Sequence, residues 1–211
     1  MNEQPWFGIG KNGQAFFRWD EASQDPADRL FFAILLEEAL AHMLASRAVT
    51  WQRELGLGGK LIRARHLHVS LVMLGDHDGL PRPLVDAACS AGSLVQAQAF
   101  DVSFDRLSAF GGGALVLRGS DGVPALQAFW RALAAVLSDS PLKSLVAKSI
   151  EPHVTLLRDK ARVPKVDERP IEPIGWTVRE FVLIHSFLRQ DRYQIIRRWQ
   201  LTGRDDAHAV M

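Results

Sequence analysis

An α+β fold with largely antiparallel strands is what this chain of 211 residues predicts. Two observations carry that expectation. The apolar patterning changes period along the chain and gives strand, helix, strand, helix, two strands, helix, strand and a closing hairpin, an order unlike the regular alternation of a doubly wound parallel sheet. The stretches "HLHVSL" (His66 to Leu71) and "PHVTLL" (Pro152 to Leu157) are near copies, and the strand-helix-strand theme around the first recurs loosely after residue 100. An internal duplication with two equivalent halves follows from that recurrence.

Each element has its own reason. Residues 1–27 carry glycine, polar residues and scattered aromatics and read as an extension packed on the domain, which is expected to span 28–203. Leu30 to Leu36 is a continuous apolar run of strand length. Glu37 to Leu55 has helical spacing, with Leu40, Met43, Leu44, Ala48 and Trp51 on one stripe, and "GLGG" at 56–59 ends it. Leu67 to Leu74 is a strand closed by "GDHDG", and Leu84 to Gln98 is a helix after "PRP".

Phe100 to Leu107 alternates apolar and polar residues, the mark of a half-buried strand. "FGGG" at 110–113 is a loop, Ala114 to Arg118 a strand, and Val123 to Leu137 a helix with Phe129, Trp130, Leu133 and Leu137 inward. "EPHVTLLRD" is a strand. The prolines at 164, 170 and 173 predict a long loop over 162–174. Trp176 to Leu188 reads as a strand, "RQDR" as a turn, Tyr193 to Leu201 as its antiparallel partner, and residues 204–211 as a frayed tail.

Composition narrows the function classes. A net charge of +1 excludes a scaffold that grips nucleic acid through its bulk field, though a local pocket can still supply a few cations. A single cysteine, Cys89, leaves no internal disulfide and no multi-cysteine metal cage. "LFFAILL" is too short to span a bilayer and the N-terminus has no signal-peptide pattern, so a cytoplasmic protein without membrane contact is expected.

Along a strand, residues two apart share a face. His68 and Ser70 are therefore paired on one face, as are His153 and Thr155, with Val69 and Val154 behind them. Two such strands set side by side would offer two imidazoles and two hydroxyls. Phosphodiester cleavage without a metal needs this set: a neutral ring to take a proton from water, an imidazolium to protonate the departing oxygen, and donors for the phosphoryl oxygens. A rival chemistry, zinc on His66 and His68 with Asp76 to Asp78, lacks a His-Glu-x-x-His or cysteine partner, and the aspartates fall in an expected turn. No metal and no cofactor are expected.

"LHVSLVMLGD" (67–76) and "EPHVTLLRD" (151–159) resemble the paired motifs of the 2H phosphoesterases, closest to the bacterial RNA 2′,3′-cyclic phosphodiesterase (2′-5′ RNA ligase) branch. "RLFFAILLEEAL", "FDVSFDRLSAFGGGALVLRG" and "FVLIHSFLRQDRYQIIRRWQL" extend the likeness over about residues 29–202. The resemblance implies two pseudo-symmetric lobes of mostly antiparallel sheet around a central cleft, with the helices outside. It also implies a metal-independent opening of a terminal 2′,3′-cyclic phosphate on RNA to a 2′-phosphomonoester. His68 would protonate the departing 3′ oxygen, His153 would activate water, and Ser70 and Thr155 would bind phosphoryl oxygens. Lys148 stands where the family often has a phosphate-touching basic residue, whereas strand parity turns Arg158 away from His153. The expected partner is an RNA or oligonucleotide end acted on by a monomer without an obligate protein partner. Other readings keep the site and change the substrate to 2′-5′-linked oligonucleotides or another cyclic nucleotide, or make the protein a non-catalytic RNA-end binder.

Overall fold

The computed structural model describes residues 26–110, 113–159 and 166–203, together with the backbone of two short strands at 7–9 and 15–17. In chain order the elements are β1 (Phe7–Ile9), β2 (Ala15–Phe17), β3 (Asp28–Leu35), α1 (Glu38–Glu54), β4 (Lys60–Leu61), β5 (His68–His77), α2 (Arg82–Gly92) and β6 (Phe100–Phe110). They continue with β7 (Ala114–Arg118), α3 (Pro124–Ser138), β8 (His153–Arg158), β9 (Arg169–Val178), β10 (Glu180–Phe187) and β11 (Arg192–Gln200). β1 and β2 pair with each other, and β2 runs close to β5.

The nine strands β3 to β11 make one antiparallel sheet, in the order β11-β10-β3-β5-β8-β7-β6-β9, with β4 added beside β8. The two motif strands, β5 and β8, are neighbours at its centre, and three strands flank each. Their antiparallel register aligns Val69 with Val154. That alignment sits on a pseudo-twofold relating β3-α1-β5 to β7-α3-β8, so the fold is α+β and carries the duplication expected from the sequence.

One face of the sheet is covered by the helices. Leu30, Phe32, Ile34, Val69, Leu115, Leu117, Val154, Phe181 and Leu183 project into the main core there. From α3 come Leu126, Phe129, Trp130, Leu133 and Leu137, and the Trp130 indole donates to the Leu71 carbonyl at 3.1 Å. From α1 come Ala41, Leu44 and Ala48, whereas Met43 is 39% exposed. The helix is thus rotated from the expected stripe by the inward-facing alanines, whose small side chains let it lie close to the sheet.

Other boundaries shift for identifiable reasons. β5 continues through the expected turn to His77, because Gly75, Asp76 and His77 still pair with Leu30, Arg29 and Asp28; Gly75 takes φ +113°, open to glycine at little cost. α2 ends at Gly92 rather than Gln98. A side chain at Gly92 would strike the Trp199 ring, and Ala97 and Ala99 instead hydrogen-bond to Thr202 beyond β11. Residues 169–174 are strand, not loop. Pro170 and Pro173 fit in β9 because it is the edge strand, where one row of amides has no sheet partner to lose. The anticipated strand from Trp176 to Leu188 breaks at Arg179. This one residue joins β9 at one end of the strand order to β10 near the other, so the sheet must curl to bring these two strand ends together. The expected frayed tail at 204–211 and part of the expected loop, residues 162–165, lie outside the described residues.

Candidate active site

On the helix-free face, the β5–β8 register puts His68 and Ser70 beside Thr155 and His153, all half-buried. Each imidazole is fixed the same way. His68 Nδ1 lies 2.7 Å from the His66 carbonyl, and His153 Nδ1 lies 2.8 Å from the Glu151 carbonyl, two residues upstream in both copies. A carbonyl can only accept, so Nδ1 carries the proton in each ring and Nε2 keeps the free lone pair. His68 Nε2 stands 3.1 Å from Ser70 Oγ, which can donate to it.

A phenylalanine packs on each ring. Phe31 lies 5.1 Å from His68 and Phe110 lies 4.7 Å from His153, measured between ring centres. Tyr193 adds an edge contact to His68 at 5.8 Å and stacks on His66 at 4.1 Å. These apolar walls exclude water, and burial is the main reason both histidines are pushed down to about 4. The His66 carbonyl pulls His68 partly back up, while the His153 and Arg158 charges hold it down. Arg158 and Arg118 act in the same direction on His153. Both rings are therefore neutral at pH 7 in the free protein, and a bound anion would draw a proton onto Nε2.

Strand parity misplaces Arg158. In the β7–β8 register Val116 faces Thr155 but Leu115 faces Leu157, so Leu156 is an extra, bulged residue. The bulge resets the alternation and returns Arg158, opposite Ala114, to the face that carries His153 and Thr155. β5 has the same device: Ala33 faces Ser70 and Phe32 faces Val72, leaving Leu71 as the bulge. The leucine that ends each copy of the motif is thus where its strand kinks. Met73 is the pseudo-twofold mate of Arg158, so the centre has a guanidinium on one side and a thioether on the other. Burial and the nearby Arg29 charge lower the Arg158 pKa.

Two charged clusters buttress the histidines. Asp191, left-handed at φ +49° in the β10–β11 turn, meets Lys60 at 2.9 Å, Arg63 at 3.1 Å and His66 Nδ1 at 3.5 Å. On the other side Arg118 bridges Glu151 and Glu168 and lies 5.6 Å from the Phe110 ring. Neither cluster has a local sequence signature, since each joins segments far apart in the chain.

The zinc arrangement does not form. The His66 ring is turned into its stack with Tyr193, Asp76 is engaged by Arg29, and among the described residues no three His, Cys, Asp or Glu side chains converge as a metal site. Lys148 is exposed on the loop leading into β8.

This arrangement has relatives. The family model described as the 2′-5′ RNA ligase superfamily matches residues 41–186. The chain belongs to that superfamily. Among solved structures, Escherichia coli LigT in its apo form is 26% identical, with a TM-score of 0.66 over 85% of this chain and 99% of that one. LigT complexed with 3′-AMP is 25% identical, with a TM-score of 0.63 over 84% and 99%. A Thermus thermophilus protein at 22% identity shares the fold, with a TM-score of 0.66 over 83% and 98%. A comparison with curated proteins returned no match. Among the described residues, no helix of this superfamily member is long and apolar enough to cross a membrane.

Proposed function

We propose that this protein hydrolyses the terminal 2′,3′-cyclic phosphate of RNA to a 2′-phosphomonoester, with its two motif histidines exchanging protons and no metal taking part. The observation that carries this reading is the pair of His-x-Ser/Thr strands side by side, each with its imidazole presented through Nε2. The solved complex of LigT with 3′-AMP supports a nucleotide-sized ligand for this fold.

His153 Nε2 accepts a proton from the attacking water as the new P–O bond forms. His68 Nε2, protonated once the substrate anion is bound, gives its proton to the 3′ oxygen as the P–O3′ bond breaks. Both rings start with depressed pKa values, so the base is already in its working form. The acid acquires its proton because phosphoryl charge offsets the burial penalty. Ser70, Thr155 and Arg158 donate to the non-bridging oxygens, where charge builds up. Lys148 is assigned a supporting contact with the phosphate or the chain beyond it. The working unit is residues 28–203, acting as a cytoplasmic monomer.

The test is an RNA oligonucleotide ending in a 2′,3′-cyclic phosphate, incubated with the protein in EDTA. A 2′-phosphate product is expected. His68→Ala and His153→Ala should each lower turnover by about 10²–10⁴-fold while the circular dichroism spectrum is unchanged. Full activity in either variant, or activity that needs added metal, overturns the assignment.

A further inference from the structure

The reacting phosphoryl group of a cyclic phosphate is a monoanion, yet a second arginine stands beyond Arg158. Arg158 serves the centre itself, and among the described residues it faces a second arginine, Arg29, and the Tyr193 phenol, whose pKa burial raises against the pull of both guanidinium charges. Arg29 occupies a separate position. It is the residue two before Phe31 on β3, and alternate residues of a strand project on one face about 7 Å apart. Phe31 packs against the His68 ring, so Arg29 lies one side-chain step further from the reacting centre. Cross-strand pairing sets Tyr193, Ser186, Arg29 and Asp76 in a row on that same face.

Asp76 holds Arg29 in place. Its two oxygens take Nε and Nη2, both at 2.6 Å, with the side chains 36% and 25% exposed. This side-on pairing engages Nε and Nη2, orders the cation and leaves Nη1 outside the pair on the far edge of the guanidinium plane. A pair wanted only for cross-strand stability would gain little from being partly exposed next to another arginine, where like charges repel.

We infer that Arg29, fixed by Asp76 and neighboured by Tyr193, is a second anion subsite that binds the internal phosphodiester on the 5′ side of the terminal nucleotide. This rests on the cyclic-phosphate reading and sharpens it: the substrate is an oligonucleotide end, and a mononucleoside cyclic phosphate fills only half of the charged face. The bound chain runs from the histidines past Phe31 toward the Arg29–Asp76 pair.

The experiment compares kcat/KM for a dinucleotide with a 2′,3′-cyclic phosphate end (ApA>p) and for adenosine 2′,3′-cyclic phosphate (A>p). The wild-type ratio is expected to be about tenfold or more in favour of the dinucleotide, matching one charge-assisted phosphate contact. It should shrink as salt is raised. Arg29→Gln should bring the ratio to within about threefold of unity, and Arg29→Lys, which keeps the charge on Asp76 but loses the fork, should fall between. If Arg29→Gln does not fold, the lysine variant alone decides, through a ratio at least about twofold below wild type. A wild-type ratio near one, or a ratio that neither variant changes, overturns the subsite while leaving the cyclic-phosphate reading intact. No turnover of either compound by the folded wild-type protein overturns both.

Discussion

Replacing Arg158 by glutamine removes a positive charge felt by both histidines and the guanidinium assigned to the phosphoryl oxygens. The bulge at Leu156 puts this side chain on the working face, so the substitution should act on the chemistry itself. A hydrogen bond to a charged group contributes about 1.5–3 kcal/mol, so losing it only in the transition state predicts a fall in kcat/KM of about 10- to 150-fold. The electrostatic consequence has a definite sign. Arg158 disfavours the imidazolium form of His68 and of His153, so in Arg158→Gln both pKa values should rise from their depressed positions near 4. Steady-state kinetics on a cyclic-phosphate oligonucleotide reads the first effect, and NMR titration of the two Cε1 protons reads the second. Arg158 is exposed as a whole residue although its guanidinium is partly desolvated, so the shorter glutamine should hardly change the melting temperature. If kcat/KM stays within about twofold and neither ring's titration moves, Arg158 points elsewhere and the bulge argument is wrong.

Three further outcomes follow from the same geometry. The two histidines bind a proton less readily folded than unfolded, so their contribution to stability is intact above the ordinary imidazole range and is lost as pH falls from about 6.5 toward about 4. Thermal melts should show His153→Ala losing less stability than wild type between pH 6.5 and pH 5, and equal slopes would refute this. Asp191→Ala frees the β10–β11 turn from Lys60, Arg63 and His66, so kcat should fall by about three- to tenfold through loss of orientation of Tyr193 and His68, with KM changed less. An unchanged kcat would show the cluster to be structural only. Gly92→Ala would set a methyl group 2.5 Å from the Trp199 ring, and a loss of about 1–3 kcal/mol in urea unfolding is expected. A neutral result would mean that α2 can shift away from β11 at no cost.

What could be read in the sequence depended on whether the controlling interaction was local. The twice-written His-Val-(Ser/Thr)-Leu specified two strands, their inner faces and the four polar groups that meet, because alternation is a property of a few consecutive residues. The same rule failed for Arg158, two residues past the end of the second copy. A bulge is settled by the partner strand's register, and β7 supplies that from 40 residues upstream. The prolines of β9 looked like loop residues because their tolerance depends on being at a sheet edge, a fact about topology. Helix α1 was legible as a helix, but not its rotation, since Met43 and Ala41 differ by how closely the sheet lets α1 approach. Nothing local in the sequence marks Asp191, Tyr193 or Arg118. Each matters through neighbours more than 30 residues away.

The pairing of β3 with β10 has a consequence for how the molecule comes into being. Residues 28–33 are made about 150 residues before residues 182–187, which supply the hydrogen bonds along one side of them. Synthesis must pass Tyr193 before His68 gains the shelter of Phe31 and Tyr193 together. The half of the sheet around β8 can close sooner, since β6, β7, β8 and β9 are consecutive strands. Nascent chains cut short before Tyr193 should therefore hold a formed His153 shelf beside an unfinished His68 shelf.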